Sequence, residues 1–409
     1  MTDSSIENKL RVKKYLGLEN VSVLAGAGTS WHLGAPVIRS IPTELKQDCE
    51  KDIETYFGKG KNPSFEDLMN CLQADRFIKG KKGESITEID KSIKTMQKWL
   101  FDNCNTEKTK LNITDDERLN KSRYHFHEIF IKRLLQRPSN LKRANLFTTN
   151  YDMAFDYALD NLGVHYINGF MGVHNRCFRP EVYDYDLYYP GQSVTGKVYR
   201  AEKVLKYYKI HGSLSWVATK PNVSNTYGIK EIPLNNEFKV EGDNELMVYP
   251  CVSKKSFTLD LPYSELFRQF SQTINQPQSV LFCVGYSFYD EHINDIIKQA
   301  LTIPSFTLII ANFSPVKDAK SPIEELRKLN DKRIIIIDEA DSNQSTFIGF
   351  IENVMPDLYE EEENEVIANT LQKIYESKTL NPNESISTTV PTETEEVKKK
   401  EDQDDDLPF

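Results

Sequence analysis

Residues 279–284 (SVLFCV), 306–311 (FTLIIA) and 333–338 (RIIIID) are nearly unbroken apolar runs, each too short to be a core helix. A strand with water on one face alternates apolar and polar residues, so a continuous run means that both faces are covered. Residues 21–25 (VSVLA) and 145–149 (NLFTT) read the same way, and residues 207–210 (YYKI) lead into a His-Gly-Ser turn. Between the first two runs, Ile293, Ile296, Ile297 and Ala300 mark one face of a helix over residues 290–301. Covered strands alternating with helices predict an α/β fold, a Rossmann-like parallel sheet with helices on both faces.

One stretch breaks that alternation. Over residues 43–140 strand signals are scarce. Ile86, Ile89, Ile93, Met96 and Leu100 form one apolar stripe, and Phe126, Ile129, Phe130 and Leu134 form another. This stretch is expected to be a mainly helical inserted subdomain. Residues 1–42 then supply the first part of the Rossmann-like domain and 141–350 the remainder. Residues 165–205, rich in tyrosine and interrupted by Pro180, Pro190 and Gly191, are expected to be a long loop or small excursion. Residues 351–380 read as an acidic helical segment. Residues 381–409 carry nine carboxylates against three lysines and too few apolar side chains for a core, so a disordered acidic tail is expected.

That tail holds −6 of the chain's formal charge of −10, which leaves the folded part only mildly acidic. With no basic field, duplex nucleic acid is not the expected ligand. The six cysteines, at 49, 71, 104, 177, 251 and 283, include no close pair, so no zinc knuckle and no metal is expected. Neither a secretory leader nor an apolar run long enough for a bilayer is visible, and a cytoplasmic protein without membrane contact is expected.

Three short motifs carry the chemistry. Gly26-Ala27-Gly28-Thr29-Ser30 directly follows the first strand, a place where glycines let a backbone approach a pyrophosphate. Thr149-Asn150-Tyr151-Asp152 ends the second strand, where open α/β sheets hold their ligands. Asn150 and Asp152 there suit a ribose, a carboxamide or a water; either also suits the cap of the next helix. His211, before Gly212, can exchange a proton near neutral pH, since an unperturbed imidazole has a pKa of about 6.5. A hydrogen-bonded structural histidine is the plainer alternative.

Taken in this order, the three motifs resemble the sirtuin family. Gly26-Ala27-Gly28-Thr29-Ser30 is similar to that family's GAG-x-S motif, and Gly34-Ala35-Pro36-Val37-Ile38-Arg39 to a degraded form of its GIPDFR segment. Thr149-Asn150-Tyr151-Asp152 is similar to its Q-N-I-D motif, and His211-Gly212 to its catalytic histidine and glycine. Gly285 and Ser287 fall where sirtuins carry a Gly-Thr/Ser turn, and Asn312 where they hold the adenosine ribose. Sirtuin deacylases also carry a four-cysteine zinc ribbon, which this chain lacks, and Val37-Ile38 replaces their Asp-Phe. The wordings FTTNYD (147–152), KIHGSLSW (209–216) and GYSFYDEHI (285–293) instead resemble bacterial sirtuin-like effectors of antiphage defence.

That resemblance implies an NAD hydrolase that releases nicotinamide and ADP-ribose, with NAD as substrate. It further implies a homo-oligomer, or a HerA-type ATPase or Argonaute-like partner. Gly26, Ala27, Gly28, Thr29 and Ser30 would hold the pyrophosphate, Asp152 the carboxamide, and Asn150 the ribose and water, while His211 would be the base. The alternatives are an NAD- or ADP-ribose-binding regulatory module, a zinc-independent deacylase or ADP-ribosyltransferase, and a scaffold with a vestigial pocket. The terminal Asp404-Asp405-Asp406-Leu407-Pro408-Phe409 resembles the tip of single-stranded-DNA-binding proteins, which implies docking on replication or repair proteins. A solubilising acidic tail is the plainer reading.

Overall fold

The computed structural model describes residues 3–38, 40–114, 116–191, 196–234, 245–248, 262–313, 321–338 and 344–359. The chain divides into a unit spanning Met1–Leu358 and a second spanning Tyr359–Phe409. The latter lies outside the described residues apart from Tyr359, and with it most of the expected acidic segment and the whole expected tail.

Seven strands form the main sheet: β1 (Asn20–Ala25), β2 (Asn145–Thr148), β3 (His165–Ile167), β4 (Val204–Lys209), β5 (Ser279–Val284), β6 (Thr307–Asn312) and β7 (Ile334–Asp338). Their spatial order is β7-β6-β5-β1-β2-β4-β3, and every neighbouring pair is parallel. Successive side chains of a strand point to opposite faces, and the two faces have separate cores. Val21, Val23 and Ala25 meet Phe126, Phe130, Phe155 and Phe350 from the helices on one side. Leu24 and, from β5, Leu281 and Cys283 meet Leu266, Phe270, Ile293 and Ile297 on the other. Burying each Val, Leu, Ile or Phe among them is worth about 1.5–3 kcal/mol, which is why nearly unbroken apolar runs end up in the middle of three layers. The α/β class expected from those runs is the one observed.

The stretch 43–140 divides between two cores. Helices Thr43–Phe57, Phe65–Lys82 and Thr87–Cys104 share a core of their own, built on Leu45, Leu68, Leu72, Met96 and Leu100. Helix His125–Leu134 instead buries Phe126, Phe130 and Leu134 against the sheet. Of the long loop or small excursion expected over residues 165–205, the structure has an excursion built of short strands. His165–Ile167 is the edge strand β3 of the main sheet. Phe170–Met171 and Arg176–Phe178 join Gly212–Ala218, Ile229–Glu231 and Glu245–Val248 in a second, antiparallel sheet, and Tyr188–Pro190 pairs with Val198–Arg200. Strands of two or three residues are too short to show a period. No described helix is long and apolar enough to cross a membrane.

Candidate active site

Because all seven strands run in one direction, their C-terminal ends share one edge of the sheet. Ala25 of β1 pairs with Thr148 of β2 and Val284 of β5; Thr148 pairs with Lys209 of β4. The motifs therefore leave the sheet side by side: Gly26 after β1, Asn150 two residues after β2, His211 two residues after β4 and Gly285 after β5. The chain crosses from β1 to β2 on one side and later returns to β5 on the other, so β1 and β5 flank the topological switch point.

At that point the two glycine turns touch. A Cβ on Gly26 would stand 2.5 Å from the Gly285 carbonyl oxygen, one on Gly28 would stand 2.7 Å from Gly285 Cα, and Gly285 itself has φ +64°. The Gly26 amide donates to Val284 O at 3.0 Å and the Gly28 amide to Gly285 O at 2.9 Å. The amides of Thr29 and Ser30 donate back to Gly26 O and Ala27 O, forming a 3₁₀ turn over Ala27–Thr29 rather than the first turn of a long helix. Among the described residues only the Ala27 amide of these five has no partner. The two glycines thus serve first to bring two turns into contact.

Behind this turn lies a buried polar chain. Asn150 Nδ2 donates to Thr29 Oγ1 at 3.1 Å and to Ser30 Oγ at 3.2 Å, and its own amide donates to Thr148 Oγ1. Ser30 in turn hydrogen-bonds Asp152. Asp152 Oδ1 accepts the Ala154 amide at 2.9 Å, while the cap position of the helix Ala154–Leu162 is Met153, which makes no side-chain capping bond. Burial pushes the Asp152 carboxyl up, and Asp156 adds to this; Lys209, the Ala154 amide and the Ser30 hydroxyl pull against it. Lys209 and Asp156 form a buried ion pair at 3.0 Å, and Tyr207 donates to the same Asp156 oxygen. This pair lies beneath the site and is not evident from the motifs.

His211 follows β4 on the same edge of the sheet. Its neighbour Gly212 has φ +93°, in the left-handed region that disfavours any Cβ, which turns the backbone from β4 into the second sheet. The Ile210 amide donates to Thr148 O and the Leu214 amide to Tyr151 O, tying the two motif loops together. His211 Nε2 lies 3.0 Å from Asp290 Oδ2. Burial lowers the imidazole pKa, but the hydrogen bond and charge of Asp290, with Glu66 from the inserted helices, outweigh it and leave it raised. Burial likewise opposes ionisation of Asp290, yet His211 and two backbone amides bring it down to about 2. The reach from Asp290 to His211 was missed in the sequence; its only signal is an aspartate opening the helix Glu291–Ala300.

The remaining expected residues lie on the same edge. Ala27 and Ser287 are half-buried. Asn312, at the end of β6, donates to Asp338 Oδ1 at 2.9 Å, which Arg327 also meets. His32, beside the glycine turn, points into the core and stacks on His127. Among the described residues no three His, Cys, Asp or Glu side chains converge as a metal site. The inserted helices reach the site through packing: Leu214 and the half-buried Tyr151 and Ile38 belong to their core.

No curated protein matches the chain. Among solved structures, a crystal structure of a Sir2 homologue–NAD complex is 15% identical, with 85% of this chain and 94% of that chain covered and a TM-score of 0.37. A mutant Sir2 homologue–ADP ribose complex is 13% identical, with 75% and 86% covered and a TM-score of 0.34. Over residues 144–337, which carry Asn150, Asp152, His211 and Asp290, the chain matches the family model of the SIR2-like domain.

Proposed function

We propose that this chain is an NAD glycohydrolase that cleaves NAD to nicotinamide and ADP-ribose. The observation that carries the reading is the convergence of Thr29, Ser30, Asn150 and Asp152 into one hydrogen-bonded chain beside the sheet's switch point, although Thr29 and Asn150 are 121 residues apart. Hydroxyls, a carboxamide and a carboxyl are a donor set suited to a dinucleotide's ribose and carboxamide. The SIR2-like match supports NAD as the substrate, and the wording of the FTTNYD, KIHGSLSW and GYSFYDEHI segments supports the finer reading of a defence effector that depletes NAD. An oligomer, or an ATPase or Argonaute-like partner, belongs to that finer reading.

In the proposed reaction Gly26–Ser30 holds the pyrophosphate, with the Gly285 and Ser287 turn beside it, and Asn312 holds the adenosine ribose. Asp152 orients the carboxamide. The C1′–N bond breaks, its electron pair leaves with nicotinamide, and water adds to C1′. Departure restores the neutral pyridine, so little acid help is needed; the site must orient water and stabilise positive charge. Asn150 orients the water, and His211 takes its proton. General-base help is worth about 10²–10⁴-fold, so His211→Ala and Asn150→Ala should each slow nicotinamide release from NAD by at least about 10²-fold. Either variant releasing nicotinamide at the parent's rate would overturn the assignment. A parent that binds NAD and releases none would be the binding module instead.

A further inference from the structure

We propose that Asp290 is the positioning residue of His211: it keeps a proton on Nε2 and so leaves Nδ1 as the nitrogen that receives the proton during NAD cleavage. The link to cleavage rests on the function proposed above; the tautomer rests on geometry alone.

Asp290 has both oxygens committed. Oδ1 accepts the amides of His292 at 2.9 Å and Ile293 at 3.1 Å, at the first turn of the ten-residue helix Glu291–Ala300. Oδ2 faces His211 Nε2 at 3.0 Å. Two amides and the positive end of a helix favour the carboxylate over the acid. An ionised carboxylate has no proton to give, so the proton in the bond to His211 sits on Nε2. A neutral imidazole carries only one N–H, and its lone pair is then on Nδ1.

The loop that brings Asp290 there is braced. Phe288 has φ +59°, an unfavourable conformation for a residue with a Cβ. Asn294 Nδ2 donates to Phe288 O at 2.6 Å, and the Tyr286 hydroxyl donates to Asn294 Oδ1 at 3.3 Å. The rings of Phe267 and Tyr151 are neighbours of the imidazole, with centroids at 6.3 and 6.5 Å. Asp290 and, from helix Phe65–Lys82, Glu66 are the charged groups that act on it. Both favour the imidazolium, which makes Nδ1 a stronger base once the ring is neutral.

Asp290→Asn is the test. The variant keeps an oxygen for the two helix amides, but its NH₂ faces Nε2 and selects the opposite tautomer, with the proton on Nδ1. Asp290→Ser is the second variant: serine caps a helix well but is too short to reach the imidazole. In ¹⁵N-histidine-labelled protein, parent His211 should titrate above 6.5 and show the Nε2–H tautomer when neutral. In both variants its titration should move to lower pH, and Asp290→Asn should show Nδ1–H. Nicotinamide release by Asp290→Asn should fall about 10²–10⁴-fold, with NAD binding within about twofold, and the acidic limb of the Asp290→Ser pH profile should move down with the imidazole. A parent His211 in the Nδ1–H form, or one whose titration is the same in the variants, would overturn the proposal. So would parental turnover by Asp290→Asn. Because the titration needs no turnover, a parent that shows the stated tautomer but releases no nicotinamide counts against the proposed reaction and not against the hold of Asp290 on His211.

Discussion

Gly285→Ala probes the contact at the centre of the site edge. Gly285 has φ +64°, where a side chain costs about 1–2 kcal/mol. The new Cβ would also stand 2.6 Å from Thr29 N and 2.8 Å from Gly28 C. These are backbone atoms, so the turns must move apart, at about 1–3 kcal/mol. A loss of about 3.5 kcal/mol is expected. With an unfolding entropy of about 2.1 cal/mol/K per residue over the unit Met1–Leu358, Tm should fall by about 5 °C. Gly163→Ala is the control. It shares the backbone cost at φ +60°, but its Cβ would meet nothing within 4 Å, so Tm should fall by only about 2 °C. Scanning calorimetry on the two variants and the parent separates the terms. Equal losses in the two variants would refute the contact between the turns.

Further variants test the buried polar groups. Burial and Arg123 lower the His32 pKa to about 4, against a pull upward from the Thr29 backbone, and burial holds fully buried His127 well below 6.5. The unfolded chain therefore takes up protons first as pH falls: stability is complete above about 6.5 and is lost from there down towards about 4. Both His127 nitrogens lack partners among the described residues, so His127→Phe should keep the urea midpoint at pH 7 and reduce its drop between pH 7 and 5. An unchanged drop would refute this. Lys209→Met should leave Asp156 buried without its cation and cost about 3–5 kcal/mol in denaturant titration, and a further Asp156→Asn should recover part of it. Full stability in the single variant would show that the pair bears no weight.

The parallel sheet was legible because burial on both faces leaves a mark on every residue of a strand. Residues 279–284 and 306–311 are apolar but for Ser279 and Thr307, and each is central, flanked by two strands. The glycine turn, Asn150, Asp152 and His211 were legible as polar or glycine residues placed just after such runs. The edge strand His165–Ile167 and the strands Phe170–Met171, Arg176–Phe178 and Ile229–Glu231 of the second sheet were not, since two or three residues hold no period. Helix His125–Leu134 was grouped with the insertion because its stripe reads alike whichever core it faces.

The sequence by itself determined that covered strands would lie parallel, and that the three motifs would lie at one edge, because strand direction and loop position are local consequences of an apolar pattern. Which atoms meet was decided only by tertiary structure. Gly26 and Gly28 read as room for a ligand, and the fold puts the Gly285 backbone against them. Asp290 read as the start of a helix, and the fold puts it 3.0 Å from His211 across 79 residues. Such contacts depend on strand order, and each strand carries the pattern of its own burial without naming its neighbour.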